Sequence, residues 1–146
     1  MSETKSDSEY TSLEFTLDSI DAVAEAIVEQ MKHKVFTIVG QMGVGKTTLV
    51  KAIVKKLGGV DEVSSPTFSI VNTYITHSKH PIFHFDLYRV RSIEELFELG
   101  FEAYFEENGF IFIEWPEHLY DFKLPEHHSL DLEVISDDKR KLRLKG

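Results

Sequence analysis

Gly40-Gln41-Met42-Gly43-Val44-Gly45-Lys46-Thr47, or GQMGVGKT, is the stretch whose reading decides the fold. Glycine, four free positions and Gly-Lys-Thr form the pattern of a loop that cradles phosphate, and the setting gives that pattern meaning. Residues 35 to 39 before it, VFTIV, are apolar and β-branched enough for a strand buried on both faces. Leu49, Val50, Ile53, Val54 and Leu57 after it have the spacing of a one-sided helix, which Gly58 and Gly59 stop. Glycine at 40, 43 and 45 allows backbone conformations closed to other residues, so successive amide N–H groups can turn onto an anion. The helix adds its positive end. Lys46 is expected to reach the terminal phosphates, and the Thr47 hydroxyl to hold a magnesium ion bridging them.

Working outward, residues 12 to 17 alternate weakly as a short edge strand, and Asp18 offers an N-cap to a helix with Ile20, Val23, Ile27 and Met31 on one face. Residues 64 to 68, SSPTF, form a loop because Pro66 forbids regular helix. Residues 69 to 75 and 82 to 88 read as strands joined at His77-Ser78-Lys79. A period of two puts Phe83, Phe85 and Leu87 on one face and His84, Asp86 and Tyr88 on the other. Ser92 caps a helix through Leu99, Gly100 ends it, and residues 102 to 107 add a further turn. Phe110 to Ile113 is continuously apolar, hence central, with Glu114 and Trp115 at its end and Pro116 as the stop. Two final strands, 129 to 135 and 139 to 144, turn at Ser136-Asp137-Asp138.

Strand and helix alternate between antiparallel ends, which predicts an α/β three-layer fold of the P-loop type: a parallel central sheet flanked by antiparallel strands. The division expected is a flexible tail over residues 1 to 10 and a single domain over 11 to 146. Ligands of such sheets bind at the carboxyl ends of the strands, where the phosphate loop, Asp86 and Glu114 all fall. An apolar run ending in a carboxylate sets an acid beside the loop threonine and its metal. FIFIE is the cleaner run, so Glu114 is assigned to magnesium and Asp86 to orienting water or the metal shell. Thr67 is the candidate γ-phosphate sensor, a hydroxyl in a loop that could order on the triphosphate. Arg89 and Arg91 are candidates for a charge-stabilising arginine or for surface ion pairs, and Trp115 for a residue beside the site or in the core. The phosphate site is expected on an edge of the sheet, with residues 64 to 68 as its one cover.

At 146 residues with 42% apolar and 28% charged side chains, one core is expected, burying about two-thirds of the unfolded surface. The absence of cysteine excludes disulfides and thiolate metal sites and agrees with a reducing compartment. With a polar start and no apolar stretch of membrane-spanning length, the sequence reads as cytoplasmic. A net charge of -9 disfavours a protein that grips nucleic acid on its own. Eight glutamates without a lysine or arginine occupy residues 92 to 117, while Lys139, Arg140, Lys141, Arg143 and Lys145 crowd the last eight positions. Each run is either a solvated face or a docking surface. No Asn/Thr-Lys-x-Asp guanine reader occurs, which favours ATP. No arginine-rich lid occurs either, which weakens the alternative of a small-molecule kinase.

GQMGVGKTTL, SPTF, HFDLYR and IEWPE, in this order and at these spacings, resemble the TsaE (YjeE) family across most of residues 12 to 144. That resemblance implies a bacterial ATPase required for threonylcarbamoyladenosine (t6A) modification of tRNA, which binds the TsaB and TsaD proteins and meets tRNA only through them. By position it implies that Gly43, Val44, Gly45, Lys46, Thr47 and Thr48 hold the phosphates of ATP. Thr47 and Glu114 would hold Mg2+, Thr67 would belong to a switch loop and Asp86 to the hydrolytic site. Thr16 and Lys139 would frame the adenine. Gln41 and Met42 depart from the family's usual Gly-Asp-Leu-Gly start.

Overall fold

The computed structural model describes residues 10–62 and 70–146, so residues 1 to 9 of the expected tail and the loop carrying Thr67 lie outside the described residues, while Tyr10, placed in the tail by the sequence reading, begins the first strand. Eight strands form a single sheet: β1 (Tyr10–Thr16), β2 (Val35–Val39), β3 (Gly59–Glu62), β4 (Val71–Thr76), β5 (Pro81–Asp86), β6 (Phe110–Glu114), β7 (His128–Val134) and β8 (Lys139–Lys145). Their order across the sheet is β1-β8-β7-β2-β6-β5-β4-β3. The central strands β7, β2, β6 and β5 run parallel, whereas β1 and β8 at one side and β4 and β3 at the other join antiparallel. A mixed α/β sheet with a parallel centre and antiparallel flanks is therefore the observed architecture. β2 lies inside it, between β7 and β6, so the expectation of an edge position for the phosphate loop is corrected. The reason is topological: the final hairpin returns to lie beside β2 instead of extending the far side.

Helices cover both faces. On one, α1 (Ile20–Gln30) and α2 (Lys46–Lys56) pack over Phe36, Ile38, Phe112, Leu130 and Leu142. On the other, α3 (Ile93–Glu98) and the 3-10 segment Phe101–Glu106 enclose Val35, Phe85, Ile111 and Ile113. Phe101 sits edge-on to Phe85, Phe105 and Phe122 and anchors this layer. Among the described residues no helix is long and apolar enough to cross a membrane.

Local chemistry explains most boundaries. A 3-10 turn, Leu17–Ser19, precedes α1, and its start is fastened by Ser19 Oγ, which accepts from the Thr16 N–H at 3.0 Å. Asp18 lies inside that turn instead of capping α1. Gly58, at φ 88°, closes α2 in the left-handed region. β3 follows directly, a strand that the sequence reading had left as a helix stop; Gly59 is needed there because a Cβ would lie 2.5 Å from Val54 Cγ1. Ser92 Oγ accepts from the Glu95 N–H at 3.4 Å at the start of α3.

The basic run at the end of the sequence is β8. Glu14 of β1 and Glu133 of β7 both face Lys141, and Asp131 of β7 faces Arg143, so the cations are interleaved with carboxylates. It is a solvated charge ladder.

Candidate functional site

Between β2 and α2 the chain turns through Gly43 at φ 81° and Gly45 at φ 108°. A Cβ at either would meet nothing within 4 Å, so the demand there is for backbone angle, not for space. Gly40 has the opposite reason, since a Cβ would lie 2.8 Å from Val44 Cγ1 and 3.0 Å from the Leu132 carbonyl oxygen. Gly45 caps α2, whose first amides have no acceptor within the helix and suit an anion. Lys46 is 6% exposed. Its Nζ donates to the Gly40 carbonyl at 2.8 Å and stands 3.8 Å from the centre of the Trp115 ring. Trp115, half-buried and at φ 61°, thus stands over the lysine and also packs against the apolar core on the α3 side of the sheet.

Two strand ends supply the acids. Asp86 and Glu114 are register partners on the parallel strands β5 and β6, so their side chains leave the same face side by side. Glu114 is 3% exposed. Its Oε2 accepts from Thr47 Oγ1 at 2.8 Å and from His84 Nε2 at 2.5 Å. Burial pushes this carboxyl up, but the bond and charge of His84, the Thr47 hydroxyl and the Lys46 ammonium together hold it below its ordinary 4.5. It is a carboxylate at neutral pH. Asp86 is exposed, and its Oδ1 accepts the Tyr88 N–H at 3.1 Å.

Cavities lie on either side of the loop and share Gly43, Gly45 and Thr48. The larger, about 730 Å³, is walled by Lys46, Thr47, Asp86, Arg89, Glu114 and Trp115 among others. The second, about 450 Å³, opens between Phe15, Thr16 and Leu17 on one side and Asp137, Asp138 and Arg140 on the other, with Val44 at its floor.

The structure therefore gathers Gly43, Lys46, Thr47, Thr48, Asp86 and Glu114 round one cavity and puts Thr16 and Val44 on the other. Gly40 lines neither and supports the loop from beneath through Lys46. Thr67 lies outside the described residues. Lys139 is not on the second cavity: its Nζ stands 3.9 Å from Glu14 Oε1, and Arg140 occupies the wall, with Nε donating to the Val44 carbonyl at 3.0 Å. β8 alternates, so 140, 142 and 144 share the face towards α1 and α2, a signal available in the sequence. His84 was likewise placed on the face of Asp86 but given no role, and it is the residue that holds Glu114. Among the described residues no group of three or more His, Asp or Glu side chains is arranged to hold a metal alone.

Comparison with known proteins shows the family of the chain. A family profile described as "Threonylcarbamoyl adenosine biosynthesis protein TsaE" matches residues 15–143. A Rickettsia felis protein named tRNA threonylcarbamoyladenosine biosynthesis protein TsaE is 37% identical over 120 residues, covering 81% of this chain and 69% of the relative. A Bacillus subtilis protein of the same name is 35% identical over 109 residues, covering 74% and 66%. The crystal structure of Bacillus subtilis YdiB superposes with a TM-score of 0.68 at 26% identity, covering 94% of this chain and 86% of that one. With a phosphate-type loop, two strand-end acids and a profile match over nearly the whole described chain, the protein belongs to the TsaE family.

Proposed function

We propose that this chain is a P-loop ATPase that binds and hydrolyses Mg2+-ATP in support of t6A modification of tRNA, gated by the TsaB and TsaD proteins. The observation that carries the reading is the Thr47–Glu114 hydrogen bond, which joins the phosphate loop to the end of β6 across 67 residues of sequence. An anionic carboxylate against a hydroxyl is a hard-oxygen donor set that fits magnesium, which takes one or two protein oxygens and the rest from phosphate and water. Thr47 and Glu114 would hold it, and Asp86 lies next to them. When bound, the ion would supply positive charge against the phosphates.

The chain's own groups divide the work. The loop amides and α2 hold the phosphates, and Lys46 leaves the Gly40 carbonyl for them. Asp86, exposed to the larger cavity, orients the attacking water and takes up its proton. The smaller cavity receives the adenine between Thr16 and the turn before β8, where Arg140 braces the loop. Among the described residues the arginine on the wall of the larger cavity, Arg89, is exposed, so hydrolysis by the isolated chain is slow, and a partner covering the cavity supplies exclusion of water and added charge. Exposed Glu94, Glu98, Glu102 and Glu106 form the rim of that contact. Steady-state ATP hydrolysis with and without purified TsaB and TsaD tests the reading. Stimulation of at least a hundredfold supports it; equal rates together with ATP-independent docking refute the gating. A phosphorylated metabolite formed from ATP in place of free phosphate would favour the kinase alternative.

A further inference from the structure

His84 lies on β5, 4% exposed, in a part of the site the proposed chemistry does not use. Its Nε2–H donates to Glu114 Oε2 at 2.5 Å, on the same oxygen that accepts from Thr47 at 2.8 Å. Both bonds converge there, and Oε1 takes part in neither. Across the sheet, Asn72 of β4 is the register partner of His84. Asn72 Oδ1 and His84 Nδ1 are both buried without a hydrogen-bond partner among the described residues. Unpaired buried polar atoms on facing residues are costly. A line of polar side chains, Asn72, His84, Glu114 and Thr47, therefore runs across β4, β5 and β6 to the phosphate loop, beneath an otherwise apolar layer of Ile82, Phe112 and Val50.

We infer that His84 is a positioning residue. It fixes the rotamer of Glu114 so that one carboxylate oxygen is tied to the loop threonine while the other is presented to the metal. A flexible glutamate at a strand end has three side-chain torsions to restrain, and a single hydroxyl contact does not fix them. Partners of this outer kind hold metal-ligating groups in orientation, and their loss costs tenfold to a hundredfold in metal affinity or activity. The inference rests on the proposed Mg2+-ATP reading.

The test compares the full chain with His84→Leu, which removes the donor, and His84→Gln, which keeps an N–H near the position of Nε2. ATP binding is measured by calorimetry in EDTA and across a magnesium titration. His84→Leu is expected to bind ATP normally in EDTA but to need about tenfold more magnesium for the metal-dependent gain, and His84→Gln to recover most of it. A general packing defect would instead weaken binding in both conditions. Parent-like magnesium dependence in a folded His84→Leu overturns the inference and leaves the ATP reading standing. Should that variant not fold, His84→Gln against His84→Asn decides, because asparagine is too short to reach Glu114; equal magnesium dependence of the two is the overturning result. Failure of the parent chain to bind ATP removes both readings together.

Discussion

The two ends of the parallel sheet each hold a buried histidine, and they use it in opposite senses. At the carboxyl end, His84 gives its Nε2 hydrogen to the Glu114 carboxylate. At the amino end, His128, 2% exposed, uses Nε2 as an acceptor for the backbone N–H groups of Lys32 at 2.9 Å and His33 at 3.1 Å. That ring also stacks on Phe36, 5.0 Å between centroids. An imidazole that accepts at Nε2 is neutral, and burial, followed by the nearby His33, pushes its pKa below the ordinary 6.5. The same residue type therefore aims a carboxylate at one end and fastens a connection between α1 and β2 at the other. Chemistry collects where strand ends offer acids and a glycine loop; at the other end the backbone amides consume the available acceptor.

The strongest challenge to that contrast is Glu114→Gln, which keeps the shape of the acid and removes its charge. ATP turnover with partners present should fall by about a hundredfold while nucleotide binding persists. Unchanged steady-state turnover would show that the carboxyl end does not depend on this carboxylate. Lys46→Ala comes next. Losing its charge-assisted contacts should weaken ATP binding by about 1.5 to 3 kcal/mol, or tenfold to a hundredfold, with the fold intact. Calorimetry reads this directly, and wild-type affinity would remove the phosphate-loop assignment.

At the amino end the expected effect is smaller and concerns stability. Because the folded-state pKa of His128 lies below its unfolded value, the unfolded chain binds more protons as pH drops under 6.5. Stability is full above that pH and declines as pH falls towards the folded value, by up to about 1.4 kcal/mol per pH unit. Glu114, also depressed, contributes above 4.5 and loses its share only as pH falls below that, through its folded value, so the amino end begins to lose stability at higher pH than the carboxyl end. Urea unfolding at pH 7.5 and 5.5 should show the first loss in the parent chain. His128→Gln, which still accepts without titrating, should flatten it; an unaltered slope would mean that another group carries the dependence. Smallest is Glu133→Lys, which sets like charges opposite Lys141 and should cost about 0.2 to 1 kcal/mol, less at high salt, without touching ATP affinity.

Much of the carboxyl end was legible in sequence, because a loop motif and apolar runs ending in Asp86 and Glu114 are local patterns with one geometric outcome. The position of β2 inside the sheet was not, since strand order depends on where the last hairpin docks and no local residue records it. β3 escaped because Gly-Val-Asp-Glu neither alternates nor carries enough apolar surface to announce a strand. His84 was on the right face by period alone, but its partner lies 30 residues away on another strand. Lys139 and Arg140 differ by one position, and the pleat sends them to opposite faces. The buried Leu142 and Leu144 set the inward face of β8, and Arg140 lies on it.

Among the described residues β1 pairs with β8 alone, and β8 lies at the far end of the described sequence. A chain emerging from the ribosome therefore makes the phosphate loop long before it can complete the wall beside it. Phe15 and Leu13 stay uncovered until Leu142 and Leu144 arrive, and β2 waits equally for β7. Nucleotide meeting the chain before β8 has emerged would find a loop without its second cavity, whose wall needs Asp137, Asp138 and Arg140. Tyr10 and Lys145 are partners at one end of the antiparallel seam between the first and last strands, so a pull applied at those two residues would unzip it rung by rung, with the Glu14–Lys141 rung deeper in.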